Sequence, residues 1–428
     1  MRLRQLAVVT ALLPLLALPA HAEARDASRD TLPAGDGWAA QGPGTTGGAA
    51  ADAGHVHTVT TRAQLVRALD GGSDTPKIIK VAGTIDANTD DAGRPLDCAD
   101  YATDGYDLAS YLAAYDPRTW GAAKPAGPQE DARQASAARQ AERVVLKVGS
   151  HTTLIGVGAK AVIKGANLQV RNATNVIVRN LDLRDAYDCF PVWQPNNGGL
   201  GDWKTAYDNL WLSGATHVWV DHVTFSDRGH PDADEPTHFA RNHLRHDGLL
   251  DITNASDLVT VSFSRFADHD KAMLIGSGDT ATGDRGRLRV TLHHNEFRGI
   301  VQRAPRVRFG QVHLYNNRYL VTGDDHRYSI GVSTESAIVA ENNAFHAPGH
   351  IEVADLVKSW NGTALQQSGT LFNGYPVDLL TIHNAYNSGS ERDLVADVGW
   401  TPTLHTKIDS ARTADHRVAR EAGAGRLP

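Results

Sequence analysis

The feature that most constrains this chain is an internal repeat. An apolar residue is followed seven positions later by Leu, Phe or Tyr, with alternating apolar residues between. The unit occurs at Val176–Leu183, Val218–Phe225, Val259–Phe266, Val290–Phe297, Val312–Tyr319, Ile338–Phe345 and Leu379–Tyr386. Successive starts are 42, 41, 31, 22, 26 and 41 residues apart. A constant core at variable spacing describes a solenoid of short strands whose coils differ only in the loops they extrude. The sixth position of the last four units carries Asn295, Asn317, Asn343 and Asn384. Amides at one phase of successive bends can bond one another up a stack. A β-sandwich with polar turns would not return the same amide at that phase. The pattern therefore predicts an all-β parallel β-helix, in keeping with 40 glycines and 18 prolines.

Around this core the chain has distinct flanks. Arg2 and Arg4, an apolar run from Leu6 to Leu18 and Ala20-His21-Ala22 describe a secretory signal peptide over 1–22. The run is too short to span a bilayer, so the mature protein is expected to be soluble and secreted. Residues 23–54, rich in Ala, Gly and Asp, read as a flexible leader unable to repay its ordering entropy. The main domain then runs over 55–428, with a short helix over 60–69 capped by Thr60 or Thr61 and a strand over 77–85. Residues 97–143 read as an insertion with helical stretches. Cys98 and Cys189 are available to pair in an oxidising compartment, but sequence does not place them within bridging distance. The net charge is −7, and losing the first 22 residues leaves 40 basic against 49 acidic side chains. That balance speaks against nucleic acid or anionic membranes as partners.

Two clusters stand out as chemistry. Asp247 and Asp251 are four apart in RHDGLLDI, a spacing that puts both on one face of a strand. Asp208 lies about one repeat upstream, where a stacked coil would bring it alongside. Oxygen ligands of this kind suit Ca²⁺, although a solvated acidic face is an equally open reading. In IVQRAPRVRFGQVH, Arg303, Arg306 and Arg308 sit close together, with Arg298 nearby. So dense a basic strip in an acidic protein suggests a polyanion, or pairing with the chain's own acids. Lys271 falls between the clusters. His222, His269, His293 and His294 stand in no metal-ligand spacing and read as structural.

HVWVDHVTFS, HDGLLDI, ADHDKAMLIGSGD, VTLHHNEF and QRAPRVRFGQVHLYNN together resemble the pectate lyases of polysaccharide lyase family 1. The similarity is to the calcium-dependent extracellular bacterial type, and it extends from TVTTRAQLVRAL to VGWTPTLHTKID and the terminal AGAG. The resemblance implies a right-handed parallel β-helix. It implies a calcium site on Asp208, Asp247 and Asp251, a catalytic Arg303, and substrate binding by Lys271 and Arg308. Where some members carry a further acid, this chain has Ala206, so calcium would depend on substrate for part of its grip. The implied reaction is β-elimination on α-1,4-linked polygalacturonate by a monomer. Proton abstraction by an arginine, whose side chain ordinarily titrates above ~12, predicts an alkaline optimum.

Three alternatives remain at this stage. A polygalacturonase-like hydrolase would use Asp247 and Asp251 as acid and base. A non-catalytic pectin-binding solenoid would use the same surface without turnover. A pectin lyase acting on methyl esters would leave calcium no carboxylate to bridge.

Overall fold

The computed structural model describes residues 26–427 apart from Ser388 and Ser390. The expected signal peptide lies outside the described residues. The repeat is the architecture. Val176, Val218, Val259, Val290, Val312 and Ile338 pair rung on rung in one ten-stranded sheet, parallel throughout. Leu183, Phe225, Phe266, Phe297, Tyr319 and Phe345 pair in parallel register in a second sheet, whose ten strands end on one antiparallel pair. A third sheet of eight strands closes each coil, running from Val145–Lys147 to Val357–Trp360. The seven-residue unit therefore spans a corner between two sheets, and the chain is a parallel β-helix.

On six successive rungs the corner between the first and second sheets turns on a single non-glycine residue at positive φ. These are Asn180, His222, Phe263, His294, Asn316 and Asn342, with φ between 44° and 56°. Asn suits such a position because its short polar side chain tolerates the left-handed region. The residue after each of the last three corners builds the expected amide ladder. The Asn317 carboxamide oxygen accepts from the Asn295 backbone N at 3.0 Å and its Nδ2 at 3.1 Å. Asn343 receives Asn317 at 2.9 and 3.1 Å in the same way. Inside the coil the aromatic rungs stack from Phe225 to Phe345, with ring centroids 4.2–5.0 Å apart.

The seventh unit departs from the expectation. Leu379–Tyr386 is an α-helix capped by Asp378, whose side chain accepts from Thr381 N. Its buried residues, Leu379 and His383, are four apart, and a helix reads Leu-x-x-x-His as one face. Asn384 thus lies outside the ladder and donates to Leu394 O instead. The rung that follows Ile338 is Leu365.

The segment expected to be a flexible leader also behaves differently. From Asp26 onward it forms an ordered strap across the outer face of the first sheet. Backbone N–H groups of Trp38, Ala39, Thr46 and Gly48 donate to side chains of Thr291, Thr260, Asn175 and Thr153. Leu32 and Ala39 pack on Ile177 and Trp219. Composition misleads here because the strap borrows hydroxyls and apolar area from the sheet and needs no core of its own.

The helix Arg62–Leu69 forms as expected, with Thr61 accepting from Gln64 N. The strand expected over 77–85 breaks into Lys77–Val81 and Thr84–Asp86 around Gly83, which turns the coil at φ 79°. The insertion carries helices Cys98–Tyr101, Leu108–Ala114, Pro117–Trp120 and Pro128–Val144. A Cys98–Cys189 disulfide, with Cα atoms 5.2 Å apart, ties it to the coil.

Candidate active site

The coils extrude their longest loops between the second and third sheets, and the polar clusters meet at that corner. Lys271 closes the strand Arg265–Lys271, and Arg303 directly follows Glu296–Gln302 on the next rung. Arg303 holds φ 61°, a conformation uncommon outside glycine that turns its side chain out of the strand direction. Asp251 lies in the third-sheet strand Leu250–Thr253, opposite Trp211. Asp208 and Asp247 do not lie on strands, and the shared strand face expected for Asp247 and Asp251 is not how they meet. Asp247 precedes its strand by three residues and is brought in by the rung below. Its N–H donates to Tyr207 O at 3.1 Å, while Gly248 N donates to Asp208 Oδ1 at 2.7 Å.

The electrostatics follow from burial. Asp208 is pushed well above the ordinary carboxylate range by desolvation and by the charges of Asp251 and Asp247. Asp251 rises to about 6 through burial and the neighbouring Asp247, with Arg303 pulling the other way. Burial would raise Asp247 too, but the ammonium groups of Lys271 and Lys204 hold it below the usual range. Their Nζ atoms lie 3.2 and 2.9 Å from its two oxygens. The Lys271 ammonium, although buried, is held charged by Asp247 and Asp270.

Asp247, Lys271, Lys204 and Arg303 line a cavity of about 880 Å³, together with Arg241 and Arg327, while Asp208 and Asp251 lie behind Asp247. The lining also carries Asp202, Asp227, Asp232, Asp268, Asp270 and Asp325, so cations and carboxylates are interspersed along it, as a site that holds an anionic ligand together with a metal cation requires. Arg308 stands aside from it: its Nε donates to Asp279 Oδ1 at 2.6 Å and its Nη1 to Gly276 O at 3.1 Å. Arg306 lies over the Trp360 ring, 4.2 Å from its centroid. The structure thus gathers Asp208, Asp247, Asp251, Lys271 and Arg303, and leaves Arg308 engaged elsewhere. Of the four histidines, His269 reaches the cavity, where its ring bonds Asp227 and the backbone oxygen of Asp247. It props the acid loop and stays in line with its reading as structural.

Among the described residues, no three His, Cys, Asp or Glu side chains are gathered to hold a metal by themselves. Asp247 is turned to its lysines. The donor set nevertheless fits a hard cation. It is all oxygen, largely shielded from solvent and crowded with negative charge. A Cβ at Gly248 would lie 2.6 Å from Asp251 Oδ1 and 3.0 Å from Asp208 Oδ1, so glycine keeps open the space these oxygens face.

The sequence profile of the family described as pectate lyase matches residues 7–105 and 126–427. The chain belongs to the pectate lyase family. The break in the match, at 106–125, falls inside the helical insertion. Pectate lyase of Bacillus subtilis (strain 168) is 44% identical over 414 residues, 96% of either chain. Pectate lyase E of Dickeya chrysanthemi is 34% identical, covering 84% of this chain and 81% of that one. Among solved structures, a pectate lyase bound to hexasaccharide superposes with TM-score 0.89 at 43% identity, covering 94% of this chain and all of the other.

Lys204 escaped the sequence reading altogether. It ends a two-stranded hairpin, Val192–Gln194 with Asp202–Lys204, that no repeat predicts. The available signal was the pair Val-Trp-Gln and Asp-Trp-Lys around a glycine-rich turn.

Proposed function

We propose that this pectate lyase family member is a secreted, calcium-dependent enzyme that cleaves α-1,4-linked polygalacturonate by β-elimination. The reading is carried by the convergence of three carboxylates, one buried and two half-buried, with Lys271 and Arg303 at one corner of the helix. In support, the Arg303 Nε is buried without a hydrogen-bond partner among the described residues, whereas Arg308 is paired to Asp279. Arg303 lines the cavity, within reach of a substrate bound there.

Asp208, Asp247 and Asp251 would hold calcium. When bound, calcium supplies positive charge that offsets the uronate carboxylate beside C5. Lys271 adds a fixed ammonium to the same face, preorganised by Asp247. Arg303, acting as the neutral guanidine, takes the C5 proton on nitrogen and becomes guanidinium. The C5 electron pair then forms the C4–C5 double bond as the C4–oxygen bond breaks, and the leaving oxygen takes a proton from solvent. The product carries a 4,5-unsaturated uronate end. Arg308 would join substrate binding only on release from Asp279.

Secretion is supported by the apolar run from Leu6 to Leu18 and by the disulfide, which suits an oxidising compartment. No helix among the described residues is long and apolar enough to cross a membrane. Polygalacturonate turnover followed by ultraviolet absorbance tests the reaction. Absorbance should rise with calcium, stop on chelation and resume when calcium is restored. Reducing ends appearing without absorbance would instead identify a hydrolase.

A further inference from the structure

Lys204 is a charged group at the acid trio that belongs to no strand of the solenoid. The extruded hairpin that ends on it is built to hold it in place. Trp203, one position earlier, is 2% exposed and packs between Trp193 and Phe239. Its Nε1 donates to His238 O at 3.3 Å. Alternation along the strand therefore turns Lys204 outward, into the cavity. Just beyond, Ala206 N donates to the buried Asp188 carboxylate at 3.0 Å, fixing the path from Lys204 to Asp208. The lysine is thus anchored on both sides, while its own side chain remains half exposed.

That ammonium lies 2.9 Å from Asp247 Oδ2, and Lys271 takes Oδ1 of the same carboxylate at 3.2 Å. Asp247 faces two cations before any metal arrives. Lys271, 12% exposed, is buried in the wall. Lys204 sits on a flexible four-carbon stem at the cavity mouth and is free to swing.

We propose that Lys204 is a resident counter-ion of the acid trio, holding Asp247 in the free protein and transferring to a uronate carboxylate of the substrate as the complex forms. The inference rests on the calcium reading of Asp208, Asp247 and Asp251. Lys204 competes with calcium for Asp247 while the cavity is empty and adds to substrate binding once it is filled. Calcium and polygalacturonate therefore enter together.

Calorimetric titration of calcium chloride into the metal-free full chain, without substrate, tests this. Lys204→Met keeps the stem and removes the charge, and it should bind calcium about tenfold more tightly than wild type, the order expected of one partly exposed charge. Lys204→Arg should match wild type, and Lys204→Gln repeats the test should the thioether disturb the hairpin. With Arg303→Ala blocking turnover and calcium saturating, trigalacturonate should bind more weakly to the Lys204→Met form. Equal calcium affinities for wild type and Lys204→Met overturn the proposal. Calcium uptake by neither protein, with or without trigalacturonate, overturns the calcium reading itself and the proposal with it.

Discussion

At the scale of single residues, Arg303 and Asp251 lead to separable predictions. Arg303→Ala removes the proposed base while leaving Asp247, Lys271 and the cavity in place. Turnover should fall by about 10³-fold or more, the range of general base catalysis, while calorimetry still detects polygalacturonate binding. Loss of binding in parallel with turnover would make Arg303 a substrate anchor only. Asp251 makes a prediction about stability. Its folded-state value of about 6 exceeds the ordinary 3.8, so the folded protein holds an extra proton between those limits. The stability it contributes is present at low pH and is lost as pH rises toward 6. Urea unfolding of the metal-free protein at pH 4.5 and pH 7 should show wild type losing about 2 kcal/mol more over that interval than Asp251→Asn. The three acids, Lys271 and Arg303 were legible in the sequence because they sit in recognisable motifs, whereas Lys204 was not. Nor were their partners. Whether Arg308 faces a ligand or Asp279 depends on a loop residue 29 positions away, and no periodicity reports that.

Elements were most legible where one physical rule repeats. A solenoid imposes the same inward position on every coil, so the Val and Phe rungs could be read to the residue, and their spacings of 42, 41, 31, 22 and 26 are the registers observed. The rule failed at Leu379, where the stack ends and an apolar pair four apart serves a helix as readily as a strand. The amide ladder offers a test of what the rungs contribute. Asn317→Ala would orphan the buried Asn295 N–H, take from the Leu292 carbonyl its amide donor and leave the Asn295 carboxamide with Val261 O alone. At roughly 1–3 kcal/mol for an unsatisfied buried group, and with the carboxamide bonds lost besides, the loss should be several kcal/mol in equilibrium denaturation. Asn384→Ala, with partly buried bonds at one end of the molecule, should cost about 1 kcal/mol. Equal costs would mean that the ladder adds nothing beyond ordinary side-chain hydrogen bonds.

Over the whole molecule, the strap from Asp26 to Gly48 and the active corner are arranged on different faces. The strap covers the first sheet, bonding to Thr153, Asn175, Thr260 and Thr291. The acids and Arg303 lie where the second and third sheets meet. The strap was invisible to composition because its fit depends on hydroxyls that face outward from distant coils and on glycines that let the backbone approach. Gly37 shows this most directly. It holds φ 80°, and a Cβ there would stand 2.5 Å from Thr260 Oγ1 and 2.8 Å from Thr291 Cβ. Gly37→Ala must lift this part of the strap, breaking the Trp38 and Ala39 hydrogen bonds and uncovering Trp219. Limited proteolysis should then cut within the strap several-fold faster and the melting temperature should fall. Polygalacturonate turnover below that temperature should stay at the wild-type rate, because no site residue touches the strap. A drop in turnover in the still-folded variant would mean that the first sheet transmits strain around the coil to the acid trio, and that the β-helix behaves as one mechanical unit rather than three independently decorated faces.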